Sequence, residues 1–197
     1  MTLKFKTIRF LTSIFDIKDI PKTDLPEIII TGRSNVGKSS LINHLFNKKI
    51  AKTSSLAGKT KSINHFLIDE QTVLADFPGY GYAKRSYEEQ VSWSKIIDHY
   101  LHTNMNIKCI LLLLDARRII SKDDLSFINW LNFYKKPAIL IFTKTDKLKK
   151  ADLDHNIKKN FEILQNNNLS IFLDHIKYSI NSKTCMIPLI SKINEII

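Results

Sequence analysis

The stretch "IIITGRSNVGKSSLINHLF", residues 28–46, decides the architecture. Ile28, Ile29, Ile30 and Thr31 are β-branched and favour an extended strand. They run into a loop carrying Gly32 and Gly37. Lys38, Ser39 and Ser40 then open an apolar run with helical spacing. The pattern G-x-x-x-x-G-K-[ST] is met by Gly32, Gly37, Lys38 and Ser39. Glycine permits conformations in which the amides of Arg33, Ser34, Asn35 and Val36 turn inward around a phosphate. The helix that follows adds its unpaired amides and positive dipole end. Lys38 can reach the β- and γ-phosphates, and the Ser39 hydroxyl can ligate Mg²⁺.

Around this loop, strand-like and helix-like segments alternate. Strands are expected at 27–31, 63–69, 72–77, 107–115, 138–142 and 175–179, and helices near 40–48, 87–102, 121–134, 149–165 and 184–197. The "DEQT" turn joins the second and third of these strands too tightly for a crossover, which makes that pair antiparallel. The others need helical crossovers. The spacing therefore predicts a three-layer α/β domain, its mostly parallel sheet of six or seven strands including one antiparallel strand. "CILLLLD" and "AILIF" read as central strands buried on both faces. Residues 1–197 are expected to form one domain, with 1–26 an extension packed on it. The basic, partly apolar N-terminus reads as a further strand, since Asp16 follows at once and no small-residue cleavage site appears.

A phosphate loop does not choose its base. "ILIFTKTDKL" does: a strand ends at Phe142 and delivers Thr143, Lys144, Thr145 and Asp146 to its C-terminal edge, where open α/β sheets bind ligands. A carboxylate there accepts from N1–H and the 2-amino group of guanine, whereas adenine offers it a repelling acceptor at N1. The Lys144 stem can lie along the base plane. In "VLADFPGYG", Asp76 ends a strand and begins a D-x-x-G pattern with Phe77, Pro78 and Gly79. Asp76 would hold Mg²⁺ through water, and the Gly79 amide would sense the γ-phosphate. Within "AGKTKS", Gly58 to Ser62 by way of Lys59 and Lys61, Thr60 is the hydroxyl expected to complete the Mg²⁺ shell. In "IKYSINS", the backbone of Tyr178, Ser179 and Ile180 is placed to meet the guanine O6. Lys38, Thr60 and Gly79 form the expected catalytic set.

Composition bounds the partners. A net charge of +11 and a pI near 9.6 favour polyanions. A Lys-, Asn- and Ile-rich genome would produce the same excess without selection for binding. No apolar run is long enough to span a membrane; the longest stops at Asp115. Two distant cysteines, Cys109 and Cys185, argue for a reduced, cytoplasmic setting. His99 and His102 can share a helix face without metal spacing.

With these elements in this order, the chain resembles the translation-factor-type GTPases and, more narrowly, the EngB (YihA/YsxC) family. The likeness runs from "FLTSIFDIKDIP" through "LPEIIITGRSNVGKSSLIN", "AGKTKSINHF", "DFPGYGYAK" and "DARRIISKDDL" to "TKTDK". It implies GTP and Mg²⁺ binding, a role in assembling the large ribosomal subunit through rRNA and ribosomal proteins, and a requirement in cell division and septation. A monomer is expected. Ala57 stands where the family usually has proline, and Ile180 and Asn181 replace small and polar residues.

Many G proteins follow D-x-x-G with a glutamine that orients the attacking water; here the residue is Tyr80. Two further readings remain open beside slow GTP hydrolysis: an interaction module that has lost turnover, and an adenine-nucleotide phosphotransferase, against which Asp146 speaks. Asn35 either steadies the loop or helps bind K⁺ beside the phosphates, where a cation would offset transition-state charge. Arg117 and Arg118 are arginine fingers, or structural or partner-contacting. Tyr80, Tyr82, Lys84 and Arg85 either present stacking and phosphate contacts to rRNA or pack their rings on the neighbouring helix.

Overall fold

The computed structural model describes residues 2–51, 62–81, 87–167, 169 and 172–197. Among the described residues, seven strands form one sheet: β1 (Ile8–Ile14), β2 (Glu27–Gly32), β3 (Ile63–Ile68), β4 (Thr72–Asp76), β5 (Ile107–Asp115), β6 (Ala138–Thr143) and β7 (Phe172–Lys177). Their spatial order is β1-β3-β4-β2-β5-β6-β7. The antiparallel strand is β3, which opposes both β1 and β4; β4, β2, β5, β6 and β7 pair in parallel.

Five α-helices among the described residues flank the sheet: α1 (Lys38–Phe46), α2 (Tyr87–Thr103), α3 (Lys122–Phe133), α4 (Lys150–Asn166) and α5 (Met186–Ile196). Strand periodicity assigns the faces, because neighbouring residues point to opposite sides. Ile28 and Ile30 join Leu41, Ile42 and Leu45 of α1 and Leu189 and Ile193 of α5. Ile29 joins Ile97 and Leu101 of α2, Ile128 and Leu131 of α3, and Ile157 of α4. A strand covered on both faces has no solvated side, which is why β2, β5 and β6 read as continuous apolar runs.

The N-terminal stretch does become a strand. It continues the sheet beyond β3, and Asp69 fastens the approach to it by accepting from the amides of Lys4, Lys6 and Thr7 at 2.8–2.9 Å. Asn194 of α5 pairs with both main-chain groups of Leu3.

Two elements are shifted along the chain from their sequence-based positions. α1 starts at Lys38, not residue 40, because Gly37 itself is the N-cap. β7 starts at Phe172 and ends at Lys177, so Tyr178 and Ser179 lie just past the strand end. Pro188 falls in the first turn of α5, where a missing N–H costs no helical hydrogen bond.

Candidate functional site

β2 delivers the chain to the loop at Gly32, where no side chain fits. A Cβ there would lie 2.6 Å from the Leu113 carbonyl oxygen and 2.9 Å from the Val36 side chain. The loop then closes on itself: Val36 N–H donates to the Arg33 carbonyl at 3.2 Å, and Asn35 adopts a left-handed conformation with φ 65°. The Gly37 carbonyl accepts the first bond of α1, from Leu41, while no side chain caps the helix. The first amides of α1 therefore face the loop's interior unbonded within the helix, a ready anion site. Lys38 curls back over it, with Nζ 3.5 Å from the Gly32 carbonyl.

The D-x-x-G segment is laid against this loop. Phe77 N–H bonds the Ile30 carbonyl, Tyr80 N–H bonds the Gly32 carbonyl, and the Tyr80 carbonyl accepts from Ser34 N–H. Between them Gly79 comes so close that a Cβ would meet Ser34 N at 2.8 Å. Any side chain here would force the two segments apart.

Asp76, at the end of β4, is buried. Burial pushes its carboxyl up to about 6, against the charge of Lys38 and a hydrogen bond with Asn64. Among the described residues, its Oδ1 has no hydrogen-bond partner. An orphaned carboxylate oxygen in a dry site is costly unless something outside the fold meets it. A hydrated divalent cation is a fitting complement, and Ser39 stands in the adjoining first turn of α1. Of the first-switch residues, Ser62 is described and buried; Gly58, Lys59, Thr60 and Lys61, and with them Ala57, lie outside the described residues.

At the end of β6, Thr143 stitches the layers together: its hydroxyl donates to the Val36 carbonyl at 2.8 Å and lies 3.2 Å from the Leu114 carbonyl. Lys144, left-handed at φ 60°, extends Nζ to the Asn35 carbonyl at 2.8 Å and to Asp115 Oδ2 at 3.0 Å. The base motif and the phosphate loop are thus in direct contact. Asp146 accepts from the Ser179 hydroxyl at 2.7 Å and from the Asn181 amide at 2.9 Å, and these bonds, the first above all, hold its carboxyl below the usual range. It stays an acceptor throughout the neutral range, as guanine recognition needs.

Of the three residues expected at the guanine O6, Tyr178 is spent inside the fold. Its N–H donates to the Phe142 carbonyl, and its own carbonyl accepts from Thr145 N and Oγ1. O6 needs a donor, and the Tyr178 amide is already used within the fold. Ile180 is half exposed, and Asn181, the other departure from the family pattern, turns out to support Asp146.

Tyr80 resolves the open choice about its ring. The ring stacks on Phe127 at 4.2 Å and 20°, and its hydroxyl donates to Asp124 at 3.0 Å. Tyr80 is buried against α3 and offers RNA no stacking surface in this arrangement. Tyr82, Lys84 and Arg85 lie outside the described residues. Arg33 braces the same corner, reaching the Ser121 hydroxyl at 3.0 Å and Asp123 at 3.4 Å. Arg117 grips Asp115 at 2.9 and 2.7 Å. A cavity of about 150 Å³ lies between the Arg33–Val36 loop and the turn that follows β5. Sequence motifs do not single out Asp115 as a site residue. One signal for it exists: it ends an apolar strand at the ligand edge of the sheet, as Asp76 does.

Comparison with known proteins agrees with this geometry. A family model described as "50S ribosome-binding GTPase" matches residues 27–144. The probable GTP-binding protein EngB of Thermoanaerobacter pseudethanolicus is 46% identical over 151 residues, which is 76% of this chain and 79% of that one. Its counterpart from Protochlamydia amoebophila is 41% identical over 179 residues, 90% and 85% of the two chains. A crystal structure of a probable GTP-binding protein EngB has a TM-score of 0.65 at 25% identity, covering 86% of this chain and 97% of that one. An Aquifex aeolicus Era variant bound to GDP and AlF₄⁻ has a TM-score of 0.67 at 23% identity, over 89% and 57% of the chains, and shares the fold. Identity of 41–46% over most of both chains goes well beyond a common fold; the chain belongs to the EngB family of P-loop GTPases.

Proposed function

We propose that this GTPase is a Mg²⁺-dependent switch with slow intrinsic hydrolysis, acting in assembly of the large ribosomal subunit. The observation that carries the reading is the Lys144 bridge to the Asn35 carbonyl, beside an Asp146 kept ionised by Ser179 and Asn181. It joins a polyphosphate cradle to a guanine-reading carboxylate. In this reading the loop amides and Lys38 hold the β- and γ-phosphates, and Asp146 accepts from the base. Ser39, Asp76 through water, and Thr60 would hold Mg²⁺. When bound, that cation offsets charge on the phosphate oxygens. The Gly79 amide reports the γ-phosphate.

Slow turnover follows from Tyr80. Its side chain lies in the α3 corner, away from the loop's interior, and lacks the paired donor and acceptor that orient water. Hydrolysis then waits on a stimulating partner. K⁺ beside Asn35 would supply part of the missing charge, and faster turnover in KCl than in NaCl is the expected result; equal rates would dispose of it.

The ribosomal half of the proposal is supported by the charge of +11 and by the description of the matching family model. Cytoplasmic location, a monomeric single domain spanning 1–197 and a role in division and septation belong to the same proposal. The decisive experiment is sedimentation with ribosomal subunits in GTP-analogue, GDP and nucleotide-free states, at two salt concentrations. Co-migration with large-subunit particles in the triphosphate state alone is expected, and indifference to nucleotide would overturn the switch. Single-turnover hydrolysis separates the switch from an inert interaction module, and competition between GDP and ADP separates it from an adenine-nucleotide phosphotransferase.

A further inference from the structure

The geometry points to Arg117 as a positioning residue for guanine-nucleotide binding, acting on Lys144 through the Asp115 carboxylate. The inference rests on the guanine reading above and adds to it a residue that does not touch the nucleotide.

Asp115 ends β5 opposite Thr143 in the parallel register, which sets its carboxylate beside Lys144. Both of its oxygens are committed. Oδ1 accepts from Arg117 N at 3.1 Å and from Nε at 2.9 Å. Oδ2 accepts from Arg117 Nη2 at 2.7 Å and from Lys144 Nζ at 3.0 Å. The guanidinium thus holds the carboxylate plane in a bidentate fork and leaves one lone-pair direction aimed at Lys144. Burial pushes the Asp115 carboxyl up, but these bonds more than offset it and bring the group to about 2. Lys144 in turn stretches between Asp115 and the Asn35 carbonyl, so its four-carbon stem is fixed before any base arrives.

A lysine stem ordered only on binding would lose rotamer freedom at that moment, which weakens the complex. Arg117 removes that loss in advance. Its own side chain is half exposed, so its removal is expected to leave the fold intact.

The test compares nucleotide release from the full chain as wild type, Arg117→Ala, Arg117→Lys and Arg118→Ala. Arg117→Ala should release GDP about ten-fold faster, the size expected for one charge-assisted hydrogen bond. Arg117→Lys should recover part of this, as one donor replaces a fork. Arg118→Ala, one residue along, should behave as wild type. Single-turnover hydrolysis at saturating GTP and the melting temperature without nucleotide should not change in Arg117→Ala. The loss should also be the same for GDP and IDP, because the stem supports the ring face, whereas Asp146→Asn should penalise GDP more than IDP, which lacks the 2-amino group.

GDP release unchanged in Arg117→Ala, in a wild type that prefers GDP to ADP, overturns this inference alone. Absence of that preference in the wild type overturns both it and the guanine reading. A fall in melting temperature matching the faster release would make Arg117 structural. Slower hydrolysis at saturating GTP would make it an arginine finger. An equal effect of Arg118→Ala would reduce it to general charge.

Discussion

Glu27 and Asp76 are buried carboxylates on neighbouring parallel strands, one at the start of β2 and the other at the end of β4. Burial raises both, Glu27 to about 7 and Asp76 to about 6. Their surroundings differ in kind. Glu27 Oε1 accepts from the Tyr100 hydroxyl at 2.5 Å and Oε2 from the Asn104 amide at 2.9 Å. Tyr100 also bonds His65 at 2.6 Å, and Lys136 closes the group through the Asn104 carbonyl at 3.0 Å. Asp76 faces Lys38 with Oδ1 unpartnered among the described residues. The left-handed residues of the phosphate loop and base motif, Gly32, Asn35, Gly37 and Lys144, belong to the same end of the sheet as Asp76. Desolvation alone therefore does not mark a functional carboxylate. What separates the two is whether the fold itself completes the carboxylate's hydrogen bonding: the Glu27 carboxylate is closed, both oxygens having donors, and the Asp76 carboxylate keeps one oxygen open among the described residues.

Substitution at each end is the sharpest way to break that contrast. Asp76→Asn should slow Mg²⁺-dependent GTP hydrolysis by roughly a thousand-fold, since it weakens the grip on a cation worth several kcal/mol to the transition state. The same change should alter the free energy of urea unfolding of the nucleotide-free protein by no more than about 1 kcal/mol. A large loss of stability would place Asp76 in the structural class. Glu27→Ala should do the reverse. It strands Tyr100, Asn104 and Lys136 and should cost about 3 kcal/mol in urea unfolding, while the GDP dissociation constant stays at the wild-type value.

Acidity probes the closed end more finely. The folded-state pKa of Glu27, about 7, lies above its ordinary 4.5. Across that window the folded chain holds a proton that the unfolded chain lacks, and stability falls as pH rises. His65 is lowered from 6.5 to about 4 by burial, so its contribution has the opposite sign, with stability rising between those values. The two share Tyr100 and largely cancel in the wild type. His65→Gln should unmask the Glu27 slope, a fall of roughly 2 kcal/mol between pH 4.5 and 7. A flat profile in that variant would show that Glu27 is not desolvated as described. The smallest effect belongs to Tyr80, a closed contact at the open end. Tyr80→Phe keeps the stack on Phe127 and leaves Asp124 with Ser121, so it should cost about 1 kcal/mol. Faster GTP hydrolysis in that variant would be a surprise, because phenylalanine cannot orient water either.

Legibility in the sequence followed distance along the chain. The loop from Gly32 to Ser39, the D-x-x-G run ending at Gly79 and the turn from Thr143 to Asp146 are each contiguous, and strand, turn and helix signals flank each of them. Even the inclusion of the N-terminal segment in the sheet was readable, from its partly apolar content. The register of β7 was not: "DHIKY" alternates weakly, and the strand begins before it, where Ala138 pairs with Phe172.

Contacts between segments escaped the sequence. Asp124 is 44 positions from Tyr80, Lys144 is 29 from Asp115, and Asn181 is 35 from Asp146. Sequence by itself determined which backbones can turn, cradle an anion or end a strand in a carboxylate, because those properties depend on residue type at short, fixed spacing. Tertiary structure alone decided which carboxylate would be completed and which left open. That choice depends on the order β4-β2-β5-β6-β7, which the helical crossovers impose and which brings remote chain segments within hydrogen-bonding distance.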